Sequence, residues 1–182
     1  SEFILSMYPD VILIEAGKNL GFASGCNLGI KKSRGEYIVL LNNDTVVDTN
    51  WLKELVAVVD GDDDIAIAGS KLLYKHNPNE IQNAMSYLTD KGDGGDMGSH
   101  QPDEGQYDST REVMAVCGAS MLIKRSLMEE IGALDEDFFA YYEDMDLCYR
   151  TRLYGKKIVF VPRSVVYHVH AATSGEWSPF FT

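Results

Sequence analysis

The chain holds 182 residues, 45% of them hydrophobic and 24% charged, with a formal net charge of −12. This balance fits one globular domain. It argues against a nucleic-acid partner, because phosphate backbones recruit Lys and Arg. It leaves phosphate ligands open, since a bound cation reverses the local field. Cys26, Cys117 and Cys148 are odd in number, far apart and without CxxC spacing, so they read as unpaired thiols of a reducing, cytoplasmic compartment. No apolar run approaches the roughly 18 residues that a membrane span needs, and no signal-peptide pattern is visible. Any membrane association would be peripheral, through a further segment or a partner.

In chain order, residues 11–14 (Val-Ile-Leu-Ile) predict a strand after the turn at Pro9-Asp10. A Gly-rich bend over residues 17–25 follows, then a helix capped by Ser24 that runs to Lys32 and ends at Gly35. Residues 36–41 form the next strand. A helix over residues 51–59 places Trp51, Leu52, Leu55, Val56 and Val59 on one face. Residues 65–68 make a third strand. This alternation predicts an α/β fold with a mixed, mostly parallel sheet flanked by helices. Residues 89–110 are rich in Gly, Asp and Ser and read as a long flexible loop. Strands follow at 113–117 and 121–123. A short helix opens on a capping-box pattern at Ser126 and closes at Gly132. A further helix spans 144–154, and strands at 157–161 and 165–167 lead into His168. The chain opens almost directly on a strand that behaves like the middle of a sheet, which predicts the back part of a larger Rossmann-like domain.

Four constellations carry chemistry. Asn42-Asn43-Asp44 falls just past the carboxyl end of the apolar run Tyr37-Ile38-Val39-Leu40-Leu41, where open α/β sheets place ligands. It reads either as a turn or as a site whose carboxylate holds a divalent cation. The segment from Phe138 to Asp146 packs four aromatics and three carboxylates into nine positions. Carboxylates suit a helix start as caps; set close together near apolar walls, they also suit general-base chemistry. His168, with His170 two residues on, reads as a structural strand-end histidine or as a metal ligand. A mixed carboxylate and imidazole set suits Mn²⁺ slightly better than Mg²⁺. Gly21, Gly25 and Gly29 recur at every fourth position, for close helix packing or for backbone approach to a nucleotide.

Together these stretches resemble the family 2 inverting glycosyltransferases of GT-A fold, rhamnosyltransferase-like in type. The matching runs are Asn19 to Ile30, Gly35 to Thr45, Gly118 to Ile123, Phe138 to Cys148 and Pro162 to His168. The resemblance implies metal-dependent transfer from a nucleoside-diphosphate sugar to a glycan or lipid-linked glycan acceptor. Asp44 would stand at the metal-binding end of a DxD-type motif whose first acid is Asn42 here, with His168 as a further ligand of Mn²⁺ or Mg²⁺. Asp144, the second acid of Glu143-Asp144, would be the general base. Gly21, Gly25, Asn27, Asn42 and Asn43 would border the donor, although Cys26 stands where many relatives carry Arg. The family's first two strands are absent from this sequence, so the donor site is expected to be incomplete. An alternative is a non-catalytic module that binds partners or forms a homodimer through an exposed sheet edge.

Overall fold

The structure is a computed structural model of the chain, and it describes residues 2–91 and 94–169. It begins with a short helix, α1 (Glu2–Met7), and continues through residues 8–20 without regular structure. Then follow α2 (Gly21–Lys32), β1 (Tyr37–Leu41), β2 (Thr45–Val47), α3 (Trp51–Asp60) and β3 (Ile65–Tyr74). The middle of the chain adds β4 (Asn77–Asn83), β5 (Met85–Leu88), β6 (Gly94–Met97), β7 (Gln101–Pro102) and β8 (Arg111–Glu112). The last elements are β9 (Ser120–Lys124), α4 (Arg125–Ile131), α5 (Glu143–Leu153) and β10 (Lys157–His168).

The main sheet runs in the order β1-β9-β3-β10-β2, with β4, β7 and β8 attached to it, while β5 and β6 form a separate hairpin. The expectation of a mostly parallel sheet is corrected by the strand registers. Among the described residues β3 and β10 form a parallel pair, and the other adjacent pairs are antiparallel. The reason is β9, which inserts between β1 and β3 and runs against both. The mixed α/β sheet flanked by helices stands as expected. Every residue of β3 is buried, as suits a strand covered on both faces. Its alternating side chains serve two cores. Ile67 packs with Ile123, Leu147, Ile158 and Phe160 beneath α2, α4 and α5. Ala68 packs with Leu55, Val59, Leu122 and Val159 beneath α3.

Several local expectations change. Residues 11–14 form no strand; no described segment pairs with them, and Ile12 is 77% exposed. Apolar residues without a hydrogen-bonding neighbour do not make a strand. Helix α2 starts three residues before Ser24, and Asn19 Oδ1 accepts from the Gly21 N–H at 2.9 Å. Ser24 lies inside the helix and donates to Glu136. Residues 113–117 are irregular, tied by one bridge from Ala115 to Ser86. Ser126 caps nothing, and α4 begins directly from the end of β9. The two strands expected after residue 156 are one, β10, interrupted by a register shift between Val161 and Val165. The expected loop of residues 89–110 contains β6 and β7. It is pinned by Lys71, 3% exposed, whose Nζ donates to Asp103 at 2.9 Å and Asp108 at 2.5 Å.

Candidate active site

A cavity of about 640 Å³ opens where β1, β2, β10 and the start of α5 meet. Its lining joins Asn42, Asn43 and Asp44 to His168, Glu143 and Asp144. Three separate stretches of sequence therefore converge on one space.

Strand register brings the first two together. The Asn42 N–H donates to the Ala119 carbonyl as β1 ends. The chain turns at Asn43-Asp44 and re-enters the sheet as β2, with Thr45 opposite His168 of β10. Asp44 Oδ1 then lies 3.0 Å from His168 Nε2. On the other side of the imidazole, Nδ1 is 2.9 Å from Gln82 Oε1. An amide oxygen only accepts, so Nδ1 carries a proton; Nε2 is the nitrogen facing Asp44 and the cavity, and it donates to the Asp44 carboxylate when it too is protonated. Asn42 Nδ2 lies 3.4 Å from the same Nε2. A ring nitrogen fixed by a partner behind it and facing a carboxylate is the arrangement of a metal-ligating histidine. His170 lies outside the described residues.

The second pair sits at the first turn of α5. Asp144 Oδ2 accepts the Gly118 N–H at 2.7 Å, and Oδ1 accepts the Met145 N–H at 2.8 Å. Burial raises the Asp144 carboxyl, while those two N–H groups oppose the rise. Glu143 is 5% exposed, and its buried Oε2 has no hydrogen-bond partner among the described residues. Burial, reinforced by the neighbouring Asp144 charge, pushes Glu143 up to about 7. The approach to the pair is strained. Tyr141 and Tyr142 both hold left-handed backbone, with φ of 71° and 69°, a conformation uncommon for aromatic residues and found mostly where function fixes it.

The glycines and Asn27 occupy other places. Gly21 has a φ of +77°, and a Cβ there would lie 2.3 Å from the Phe139 carbonyl oxygen. That closeness lets the Phe22 N–H donate to the Phe139 carbonyl at 2.7 Å. Gly21 thus shapes the segment leading to Tyr141–Asp144 and does not line the cavity. Gly25 is exposed with open space around it. Asn27 is buried and tied to Leu134 and Glu136. Neither reaches the cavity, because both project from α2 on sides that face solvent or the 134–136 loop.

Sequence reasoning missed Gln82, Ser86, Asp96 and the Gly118 amide. Gln82 sits in β4 and Ser86 in β5 without any motif, and Asp96 lies within the stretch expected to be loop. Gly118 carried a weak signal, since a Gly-Ala-Ser run before a strand accommodates close approach. A Cβ at Gly118 would lie 3.2 Å from the Asp144 Cβ.

The family profile described as "Glycosyltransferase like family 2" matches residues 4–178. The chain belongs to this family. Among curated relatives it is 30% identical over 156 residues to an uncharacterized protein, y4gI, of Sinorhizobium fredii, covering 82% of this chain and 17% of that one. It is 29% identical over 151 residues to the low-salt glycan biosynthesis hexosyltransferase Agl10 of Haloferax volcanii, covering 80% of this chain and 47% of Agl10. A shorter match, 37% identical over 67 residues, is to the N-acetylglucosaminyl-diphospho-decaprenol L-rhamnosyltransferase of Mycobacterium tuberculosis, covering 37% of this chain and 22% of that one. Among solved structures, GalNAc-T7 with UDP, GalNAc and Mn²⁺ superposes with a TM-score of 0.74 at 21% identity, covering 92% of this chain and 34% of that one. The GT-A-like architecture of this family 2 chain follows from that superposition. The chain spans less than half the length of each of these proteins.

Proposed function

We propose that this chain forms the metal-dependent catalytic part of an inverting glycosyltransferase, moving a sugar from a nucleoside-diphosphate sugar to a hydroxyl of a glycan or lipid-linked glycan. The reading rests on one observation: the Asp44–His168 pair and the Glu143–Asp144 pair share a single cavity. The family relatives named as a glycan-building hexosyltransferase and a rhamnosyltransferase support the substrate class.

The donor set fits a cation carried by its substrate. Among the described residues no group of three or more His, Cys, Asp or Glu side chains is placed to hold a metal ion. One carboxylate and one imidazole are too few for a bare Mn²⁺ or Mg²⁺, but cations of this kind complete their shells with substrate phosphates and water. Asp44 and His168 would hold the ion, and a bound cation there supplies Lewis-acid stabilisation of the departing diphosphate. Gln82 keeps the His168 ring in the orientation and tautomer that ligation needs. Asn42 and Asn43 border the donor side of the cavity. Asp144 takes the proton of the acceptor hydroxyl as that oxygen attacks the anomeric carbon, and the leaving diphosphate keeps the electron pair of the broken C–O bond. The Gly118 and Met145 N–H groups hold the Asp144 carboxylate for that transfer. Glu143, held near neutral pH in its titration, limits the charge repulsion that two adjacent carboxylates would otherwise build up.

The test is calorimetric titration of UDP, GDP and dTDP with Mn²⁺ into the wild type and Asp44→Ala. At least one nucleotide is expected to bind the wild type, with affinity falling about 100-fold or more in the variant; unchanged binding sinks the metal assignment. A second reading, a non-catalytic binding module, is favoured by the single carboxylate in Asn42-Asn43-Asp44. Release of nucleoside diphosphate from a nucleotide sugar by this chain decides against it.

A further inference from the structure

The hairpin of β5 and β6 forms a wall of the cavity, and Asp96 on it has no role in the chemistry above. We propose that Asp96 is an acceptor-positioning residue: with Tyr141 and Tyr142 it forms a subsite for a neutral pyranose of the acceptor, whose hydroxyls donate to the Asp96 carboxylate. The inference deepens the glycosyltransferase reading and rests on it for the place of Asp144 beside the subsite.

Asp96 is a built feature rather than a stray surface acid. Its Oδ1 accepts from Asn83 Nδ2 at 2.5 Å and from Ser86 Oγ at 3.2 Å. Both donors are buried, Asn83 at 1% exposure and Ser86 at 7%. Ser86 stands directly opposite Asp96 in the hairpin register. Two buried donors on one oxygen fix the carboxylate, which lines the cavity. Asp96 makes no salt bridge among the described residues. It also joins no group of acids and histidines suited to a metal. A fixed carboxylate in a cavity, with neither a protein cation nor a metal cluster to serve, is matched by hydroxyl donors. Asp96 and Asp144 line the same cavity.

The tyrosines supply the second half of a sugar site. Both line the cavity and are about half exposed, although their left-handed backbone is costly. The ring of Tyr142 lies against the hairpin, so closely that a Cβ on Gly94 would be 2.9 Å from its Cε1. Hairpin and tyrosines therefore hold a fixed relation. An amphipathic aromatic ring offers an apolar face to the C–H side of a pyranose while a carboxylate binds its hydroxyls.

Saturation-transfer NMR without metal tests this on the wild type, Asp96→Asn and Ser86→Ala, using octyl β-D-glucopyranoside, octyl β-D-galactopyranoside and octyl α-L-rhamnopyranoside as probes. Titration of UDP, GDP and dTDP with Mn²⁺ runs in parallel. Saturation of pyranose ring protons is expected for at least one glycoside. Its affinity should fall about tenfold in Asp96→Asn, as for loss of a charged hydrogen-bond acceptor, and less in Ser86→Ala, with nucleotide affinity within twofold of wild type. Glycoside affinity within twofold of wild type in Asp96→Asn overturns the inference, as does absence of ring-proton saturation from all three probes. Asp44→Ala separates the two readings. Nucleotide binding insensitive to that variant removes the metal-site reading, whereas glycoside binding insensitive to Asp96→Asn removes this one alone.

Discussion

Glu143 and Asp144 are neighbours in sequence with different hydrogen-bonding situations. Asp144 has a backbone N–H on each oxygen, while Glu143 accepts backbone N–H groups but keeps one buried oxygen without a partner among the described residues. The raised Glu143 pKa has a consequence for stability. The folded-state value of about 7 stands above the ordinary 4.5, so between those values the folded protein holds a proton that the unfolded chain has released. Stability is therefore undiminished below about pH 4.5 and falls as pH rises towards 7. The groups facing Glu143 are Asp144, which adds a slope of the same sign, and the Cys26 thiol of α2, itself raised by burial and by the Glu143 charge. Glu143→Gln is expected to flatten this dependence and to stabilise the fold by roughly 1–3 kcal/mol at pH 8. Urea unfolding at pH 5 and pH 8 without added metal measures it; an unaltered pH slope counts against the buried-carboxyl account. At this scale the residue types were legible in the sequence. Asp44, His168, Glu143 and Asp144 were singled out by residue type and place in a run, while their roles came only from the resemblance. Gln82 and Ser86 were not singled out, because a neutral side chain gains its role only from what faces it.

At the scale of elements, the sheet's centre depends on small residues at crossing points. Gly69 in β3 passes beneath Val116, and a Cβ there would lie 2.3 Å from the Val116 Cβ. Both segments are locked, β3 between β9 and β10 and Val116 within the core. Gly69→Ala is expected to destabilise by about 1–3 kcal/mol through overpacking, read as a lowered urea midpoint with unchanged slope. The positions of α2 to α5 were readable from periodicity, as with α3, whose Leu55, Val56 and Val59 pack on β3 and β10 although Leu52 is exposed; of the longer strands only the first residues of β3 and two separate pieces of β10 were readable, and β4 was not. Pairing was not. The insertion of β9 between β1 and β3 and the docking of β2 on β10 are long-range choices, and no local pattern encodes them. The cap expected at Ser24 failed for a related reason. The start of α2 is set by the contact of Gly21 and Phe22 with Phe139, more than a hundred residues away.

The whole molecule carries a formal charge of −12, and four acids, Asp44, Asp96, Glu143 and Asp144, line its cavity. A diphosphate entering that field without a cation meets net repulsion from these carboxylates. Removing divalent ions with EDTA is therefore expected to weaken nucleoside diphosphate binding at least about 100-fold, with recovery on adding Mn²⁺. Calorimetry with and without chelator measures this, and metal-independent binding would show that the negative field is compensated elsewhere. Among the described residues no helix is long and apolar enough to cross a membrane. The sequence by itself determined α2 to α5 to within a few residues, though not α1, the apolar character of β1 and the burial of the start of β3, the family resemblance and the acids and histidine of the candidate site, because composition and periodicity report which residues seek burial and which bear charge. Only the tertiary structure decided that the sheet is chiefly antiparallel, that Gly25 and Asn27 lie away from the cavity, and that Asp96 and Gln82 belong to it. Those outcomes depend on strand register and on contacts between segments more than a hundred residues apart, which are fixed by mutual packing and leave no local mark in the chain.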